Sequence, residues 1–372
     1  MYLSQLSFIN FKNYREANFS FIDGVNCFTG HNGAGKTNIL DAIHYLCLCK
    51  SYFHSIDSQS IFHDEAFFVV QGEFMHSEEQ HAVYCGFKRN HKKQFKRNNK
   101  EYQRLADHIG LFPLVIISPS DQQLITEGSE ERRKFIDNAI SQIDNHYLDD
   151  LIYYNKLLLN RNALLKKFYE QNRIDYDMME VYDQSLVEYA YKIHSKRKLF
   201  CEEFIPLFNA IYKELSSGME EVNFQYESQL NANDLMDLLR KNVQKDVASQ
   251  RSNYGTHKDD FTFMLSQYPL KKFGSQGQQK SYIIALKLAH YAFLNQKKGY
   301  KPLLLLDDIF DKLDESRIKK LLAMVSEDNF GQIFITDTER DRVEKIFQDI
   351  SVEARIFDIH KGSVIIAHEA EK

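Results

Sequence analysis

Gly30-His31-Asn32-Gly33-Ala34-Gly35-Lys36-Thr37 spells G-x-x-x-x-G-K-T, the pattern of a phosphate-binding loop. Its glycines let the backbone curl until successive N–H groups, those of His31, Asn32 and Ala34 among them, point inward at a phosphate. Lys36 then reaches the β and γ phosphates, and Thr37 offers a hydroxyl to Mg2+. Such a loop must lie between a strand and a helix. Gly24-Val25-Asn26-Cys27-Phe28-Thr29 reads as a short buried strand, and Asn38–Leu46 carries apolar residues at helical spacing. A glycine turn between two core elements is the competing reading.

Outward from the loop the chain changes character twice. Residues 1–118 are rich in β-formers, as in Tyr2-Leu3-Ser4-Gln5-Leu6-Ser7-Phe8, Ala66–Phe74 and Val83–Phe87. Residues 119–249 carry long helical periodicity, as in Tyr147–Leu158 and Tyr182–Phe208, with little proline. Residues 250–372 return to short apolar runs at Pro302–Leu306, Gln332–Ile335 and Ala354–Ile359. Runs of this length separated by helices suit a parallel sheet covered on both faces. The expected architecture is an α/β nucleotide-binding head built from 1–118 and 250–372, interrupted by a helical insertion at 119–249.

Composition narrows the function. The 372 residues hold 47 Lys and Arg against 52 Asp and Glu, a formal charge of −5, so any nucleic-acid contact must be a local basic patch. No apolar run reaches membrane-spanning length and the start has no basic region with a cleavage site; a cytoplasmic protein with no membrane partner is expected. Cys27, Cys47, Cys49, Cys85 and Cys201 form no C-x-x-C pair and have no histidine at zinc spacing, which supports neither a disulfide framework nor a metal site.

A phosphate loop alone does not complete an ATPase, because the metal needs an acidic ligand from the end of a neighbouring strand. Leu303-Leu304-Leu305-Leu306-Asp307-Asp308 supplies one: four apolar residues place Asp307 at a strand mouth to hold Mg2+, and Asp308 follows to orient or activate the attacking water. An exposed acidic turn is the alternative. Upstream, Ser275-Gln276-Gly277-Gln278 opens the apolar-periodic stretch Tyr282–Phe293. An S-x-G-Q segment ahead of such a strand resembles the ABC-type ATPases, although a simple helix-capping turn would read alike. The resemblance implies that Ser275, Gly277 and Gln278 cap the γ-phosphate of ATP held by a second copy, a role suited to a hydroxyl, backbone amides and a helix N-terminus. It also implies a D-loop at Phe310–Asp314, with Asp314 in the expected place, and an ABC-type head with a parallel or mixed sheet, flanking helices and an antiparallel β subdomain.

Further segments are similar to the RecF family, bacterial recombination mediators with an SMC-like head. Asn10-Phe11-Lys12-Asn13-Tyr14 resembles that family's N-F-R-N-Y, and Asn32–Ile43 its N-G-x-G-K-T-N-x-L-E-A-I. Ser118-Pro119-Ser120-Asp121 with Arg132-Arg133-Lys134-Phe135-Ile136-Asp137 resembles S-P-E-D…R-R-x-F-L-D. Arg161–Lys166 is similar to R-N-x-L-L-K, and Gly255–Asp260 to G-P-H-R-D-D with Thr256 in place of proline. Lys50–His54 departs from the pattern, lacking the family's arginine. Of the ABC elements, the glutamine loop finds only Gln122 or Gln123, and Thr336-Asp337-Thr338 stands where a switch histidine belongs. Slow hydrolysis is expected from that replacement.

The resemblance implies ATP and Mg2+ as cofactors, with Lys36 and Asp308 catalytic. It implies an ATP-dependent homodimer that binds double-stranded DNA beside gapped or single-stranded DNA and, with a RecR-type mediator, loads recombinase in repair, replication restart and the SOS response. Lys88–Lys100 carries seven Lys or Arg and no acid, so Lys92, Lys93, Lys96 and Arg97 are candidate phosphate contacts on a hairpin; a solvated hairpin is equally admissible. Arg132, Arg133, Lys134, Lys166, Lys167, Lys196, Arg197 and Lys198 are expected to face solvent on helices. Other readings remain: another SMC-like head, disfavoured by an insertion too short for its coiled coil; a transporter ATPase; a nuclease-associated head, for which no room remains before Lys372; and a non-catalytic DNA-repair interaction protein.

Overall fold

Leu3, Leu6, Phe8 and Phe11 point into the core from β1 (Tyr2–Phe11), the alternation slipping between Leu3 and Gln5, where the ladder to β4 shifts register, and again between Phe8 and Phe11, where Asn10 takes a positive φ (53°). The computed structural model that carries this strand describes residues 1–216, 218, 220–309, 330–349 and 353–370. They divide into two units, Met1–Gln122 with Lys280–Lys372, and Gln123–Gln279.

The first unit holds two six-stranded sheets. One is antiparallel, in the order β2 (Tyr14–Ser20), β1, β4 (Phe67–His76), β5 (Glu79–Lys88), β6 (Gln94–Arg97), β7 (Lys100–Glu101). In the other, β14 (Ala354–His360), β3 (Val25–Thr29), β13 (Ile333–Asp337), β12 (Leu303–Leu306) and β8 (Leu114–Ile117) run parallel in that order, with β15 (Ser363–Ala370) antiparallel on β14. Every residue of β3, β8, β12 and β13 is buried, as parallel strands covered on both faces require. Helix α1 (Lys36–Leu48) is buried along nearly its whole length and packs on strands of both sheets. A helix buried on nearly every side must be covered all round, and a place between layers provides that. Phe19, Phe21, Phe28, Phe334 and Phe357 fill the adjoining core edge to face. Buried Gln332 ties the layers by accepting from Leu3 N (2.7 Å) and donating to the carbonyls of Leu3 and Ile22 (2.8 and 2.9 Å).

The second unit runs from α2 (Gln123–Thr126) and α3 (Ser129–Ser141) into α4 (Asn145–Gln171) and the 40-residue α5 (Tyr176–Leu215). Asp144 and Asp175 cap the two long helices, accepting from the N–H groups of Tyr147 and Met178, both at 3.0 Å. After α5 come β9 (Val222–Glu227), α6 (Leu235–Ser249), β10 (Asp260–Leu265), β11 (Tyr268–Pro269), α7 (Leu270–Phe273) and the first turn of α8 (Gln276–Lys298). The three strands form one antiparallel sheet, β11-β10-β9. The unit boundaries therefore fall at 122/123 and 279/280 rather than at the expected 118/119 and 249/250. Residues 250–279 group with the helices because β10 pairs along its whole length with β9, itself a strand inside the stretch expected to be helical.

Two guanidinium centres brace this unit. Arg161, fully buried, pairs with Asp183 (2.6 Å) and Asp246 (2.7 Å) and donates to Ser252 Oγ (2.8 Å). Arg197, 2% exposed, pairs with Asp137 (2.9 Å) and Asp259 (2.8 Å) and donates to the Thr256 carbonyl. Arg132 pairs with Asp260 through both Nε and Nη2 (2.8 and 3.0 Å), and Arg133 donates to the Asp259 carbonyl (2.6 Å). The expectation that Arg132, Arg133 and Arg197 face solvent is thus corrected: a planar guanidinium fork is better satisfied by buried carboxylates and carbonyls than a helix-face charge run suggests.

In the first unit, burial pushes His44 and His108 down to about 4 and His290 to about 3. These imidazoles stay neutral in the fold but protonate near 6.5 in the unfolded chain. Below that pH the unfolded state binds more protons, so stability falls from about pH 6.5 toward 4, by on the order of 3 kcal/mol per histidine. The expected result is a Tm that drops steeply between about pH 7 and 5 in circular-dichroism melts; a pH-independent Tm there would contradict it.

Candidate phosphate-binding site

The loop after β3 adopts the curl its glycines permit. Gly30 (φ 141°) passes so close to β14 that a Cβ there would lie 2.3 Å from the Ile359 carbonyl oxygen, and at Gly35 (φ 116°) one would lie 2.6 Å from Asn13 Nδ2. The loop is clasped from outside: Asn13 Nδ2 donates to the Ala34 carbonyl (3.0 Å), Tyr14 Oη to that of Gly35 (3.2 Å), and Gly362 N to that of Ala34 (2.9 Å). Gly35 leaves α1 without a side-chain cap and no acid stands in the first turn, so the helix offers its N–H groups and positive end to an anion. Lys36 Nζ, 2.6 Å from the Gly30 carbonyl oxygen and 3.1 Å from that of His31, lies folded along the loop.

The acidic pair stands beside it. Asp307 follows β12 and is 5% exposed, its N–H bonded to the Ile117 carbonyl (2.8 Å). Its Oδ1 accepts from Thr37 Oγ1 and from Thr336 Oγ1, both at 2.8 Å. Burial pushes the Asp307 carboxyl up from the usual range, against the pull of the Thr336 and Thr37 hydroxyls. Asp308 takes the left-handed conformation (φ 46°), one that Asp and Asn tolerate better than most residues. Its N–H donates to Thr336 Oγ1 (2.9 Å), while its buried Oδ1 has no hydrogen-bond partner among the described residues. Two hard oxygen donors from Thr37 and Asp307, with an unsatisfied carboxylate oxygen alongside, fit a divalent cation that completes its shell with phosphate oxygens and water.

Where β8 ends, at the expected place of a glutamine loop, Asp121 closes the turn. It accepts from Ser118 N (2.8 Å) and the Tyr52 hydroxyl and pairs with buried Lys287 (2.6 Å), and Lys287 also donates to the Ile116 carbonyl (3.0 Å). On the outer side of the loop lies a cleft of 720 Å³ lined by Lys12, Asn13, Asn38, His54, Gln59 and Arg89, among others. Lys12 is anchored there by Asp41 (2.6 Å), which also accepts from Ser51 Oγ and Tyr52 N (both 2.7 Å). The Lys50–His54 segment is thus fastened through Asp41. Chain distance hides Lys12 and Lys287, the charged partners of Asp41 and Asp121, from the sequence; Thr336 is visible there at the place of a switch histidine, but its pairing with Asp307 follows only from the strand register.

Within the second unit, Ser275 and Gln278 form a capping box at the start of α8. Ser275 N donates to Gln278 Oε1 (2.7 Å), Gln278 N to Ser275 Oγ (3.3 Å), and Gln278 Nε2 reaches Glu220 (2.8 Å). Ser275 is exposed, so its hydroxyl proton can serve a partner outside this cap. Gly277 lies in the first turn. Asp314 and the rest of the expected D-loop lie outside the described residues.

On the basic hairpin, Asn98 and Asn99 (φ 50° and 62°) make the tight turn from β6 to β7. Lys92 is exposed, Arg97 half-buried, and Lys96 lies 5.4 Å from the Tyr84 ring centroid. Lys93 is committed elsewhere: it pairs with Asp57 (2.9 Å), donates to the Cys49 carbonyl (2.7 Å) and is only 13% exposed. It is therefore removed from the candidate phosphate contacts.

Residues 2–358 match the RecF/RecN/SMC N terminal domain family. The DNA replication and repair protein RecF of Flavobacterium johnsoniae is 48% identical over 359 residues, 96% of this chain and 100% of its own length. That of Phocaeicola vulgatus is 48% identical over 366 residues, 98% of each chain. Among solved structures, the recombination mediator protein RecF-ATP in RecFOR pathway aligns with a TM-score of 0.89 at 32% identity, over 99% of this chain and 97% of that one. The Smc head domain of Pyrococcus furiosus bound to the C-terminal domain of ScpA has a TM-score of 0.56 at 17% identity, covers 99% of this chain and 96% of that one, and shares the fold alone. The ABC-type, SMC-like head expected from the sequence is the fold observed.

Proposed function

This chain belongs to the RecF family, and on that premise we propose that it is an ATP-operated DNA-binding protein of recombinational repair and replication restart. Two copies close on two ATP molecules at gapped DNA and, with a RecR-type mediator, help load recombinase onto the single strand. The observation that carries this reading is the uncapped start of α1 beneath a glycine-curled loop, beside an acid pair whose first member, Asp307, already accepts from Thr37. Gly30–Thr37 hold the triphosphate through backbone N–H groups, and Lys36 neutralises its outer charge. Thr37 and Asp307 are the residues that would hold Mg2+, which supplies charge neutralisation on the phosphates. Asp308 orients the attacking water with the carboxylate oxygen that has no partner among the described residues. Ser275, Gly277 and Gln278 of one copy meet the γ-phosphate held by the other, the exposed Ser275 hydroxyl donating.

On the basic hairpin, Lys92, Lys96 and Arg97 remain as contacts for the phosphate backbone, without base recognition. The expected result is sequence-independent binding of gapped duplex that strengthens with ATP and falls with salt. Three phosphate contacts lose roughly 40-fold in affinity between about 50 and 200 mM salt. Fluorescence anisotropy over a salt series, with the Lys92→Ala/Lys96→Ala/Arg97→Ala variant alongside, tests this: the variant's log–log salt slope falls by about 3. A salt-insensitive affinity, or equal binding with and without ATP, would sink the reading.

A further inference from the structure

We propose that Thr336 is a positioning residue that couples the metal-holding carboxylate of Asp307 to the placement of Asp308. This rests on the ATP-hydrolysing reading above. β12 and β13 run parallel with Leu306 opposite Ile335, so the next residues, Asp307 and Thr336, leave the sheet side by side. Thr336 is wholly buried. A buried threonine ordinarily satisfies its hydroxyl on a nearby backbone carbonyl. Here Oγ1 accepts from Asp308 N at 2.9 Å and donates to Asp307 Oδ1 at 2.8 Å, so its one proton is committed to the carboxylate and a lone pair to the next residue's N–H.

The same Asp307 oxygen takes a second hydrogen bond from Thr37 of the phosphate loop. Thr37, Asp307, Thr336 and the Asp308 backbone therefore form one continuous hydrogen-bonded row from the loop to the water-orienting acid. Of the two donors on Asp307, Thr37 belongs to the loop that takes up the phosphate, whereas Thr336 sits on the rigid sheet. Thr336 thus fixes the carboxylate rotamer whatever the loop does, and through the Asp308 N–H it fixes a residue whose left-handed backbone has few conformations to fall back on. It occupies the place where an ABC-type ATPase carries a histidine. A hydroxyl there orients both acids from behind and has no ring nitrogen to offer a phosphate.

Thr336→Val keeps the shape and removes the hydroxyl; Thr336→Ser keeps the hydroxyl and removes the methyl. With a fluorescent ATP analogue titrated against Mg2+, Thr336→Val is expected to raise the Mg2+ half-saturation point about 10- to 100-fold. Nucleotide affinity in EDTA should stay within about 3-fold, because the loop is untouched and binding there does not pass through the metal. At saturating Mg2+, kcat falls by at least about 10-fold with KM unchanged, and Thr336→Ser restores both readouts. Wild-type Mg2+ dependence in Thr336→Val, or no restoration by serine, overturns the proposal. Thr336→Ala is the second hydroxyl-free variant, read the same way should the valine protein lack a cooperative melt. If the unaltered protein turns over no ATP, the hydrolytic reading falls, while the Mg2+ titration still decides for or against Thr336.

Discussion

Lys36→Ala is expected to weaken ATP binding by at least about 100-fold, on the order of 3 kcal/mol, as loss of charge-assisted hydrogen bonds to phosphate requires. The side chain is 4% exposed and, among the described residues, bonds the carbonyl oxygens of Gly30 and His31, so it braces the loop as well as meeting the ligand. Its removal leaves the core untouched: Ile39, Leu40 and Ile43 hold α1 between the sheets without it. The melting temperature should therefore shift by only a few degrees while isothermal titration detects no ATP binding at concentrations that saturate the unaltered protein. Unchanged affinity would remove the loop from the phosphate site, whatever its sequence.

Asp308→Asn is expected to do the opposite: ATP affinity is retained and turnover falls by about 100-fold or more, the usual contribution of a positioned acid or base. Asp308 Oδ1 has no hydrogen-bond partner among the described residues, and asparagine accepts a φ of 46° as readily as aspartate does, so the variant isolates the chemistry. Asp308→Ala carries the same loss with a small extra backbone cost. Pre-steady-state turnover at saturating ATP reads it out, and wild-type turnover in either variant would remove Asp308 from the catalytic role.

The loop was legible because its chemistry is contiguous: eight neighbouring residues carry the glycines, the lysine and the hydroxyl. Asp307 was legible because four leucines in a row have only the middle of a sheet to go to. Other motif residues were read correctly as a family pattern but not for what they do. Arg161 stands in a run resembling R-N-x-L-L-K, yet its partners Asp183 and Asp246 lie 22 and 85 residues away, and only the fold brings them together. Lys93 looks like its neighbours in a charge run; Asp57 and the Cys49 carbonyl draw it inward. Strand β9 escaped notice because its six residues find their partner, β10, more than thirty residues later. Ser275 and Gln278 show the converse: the capping box that competes with the proposed trans role is itself spelled by the local sequence, and it leaves the serine exposed.

The central claim is that the phosphate loop is half of an interface between two copies, which ATP closes and hydrolysis opens. Its most direct test is the mass of Asp308→Ala by sedimentation, with and without ATP and Mg2+. The expected result is a 43.8 kDa monomer without nucleotide that becomes a long-lived species of twice that mass with it. A variant that binds ATP and remains at 43.8 kDa would contradict the account.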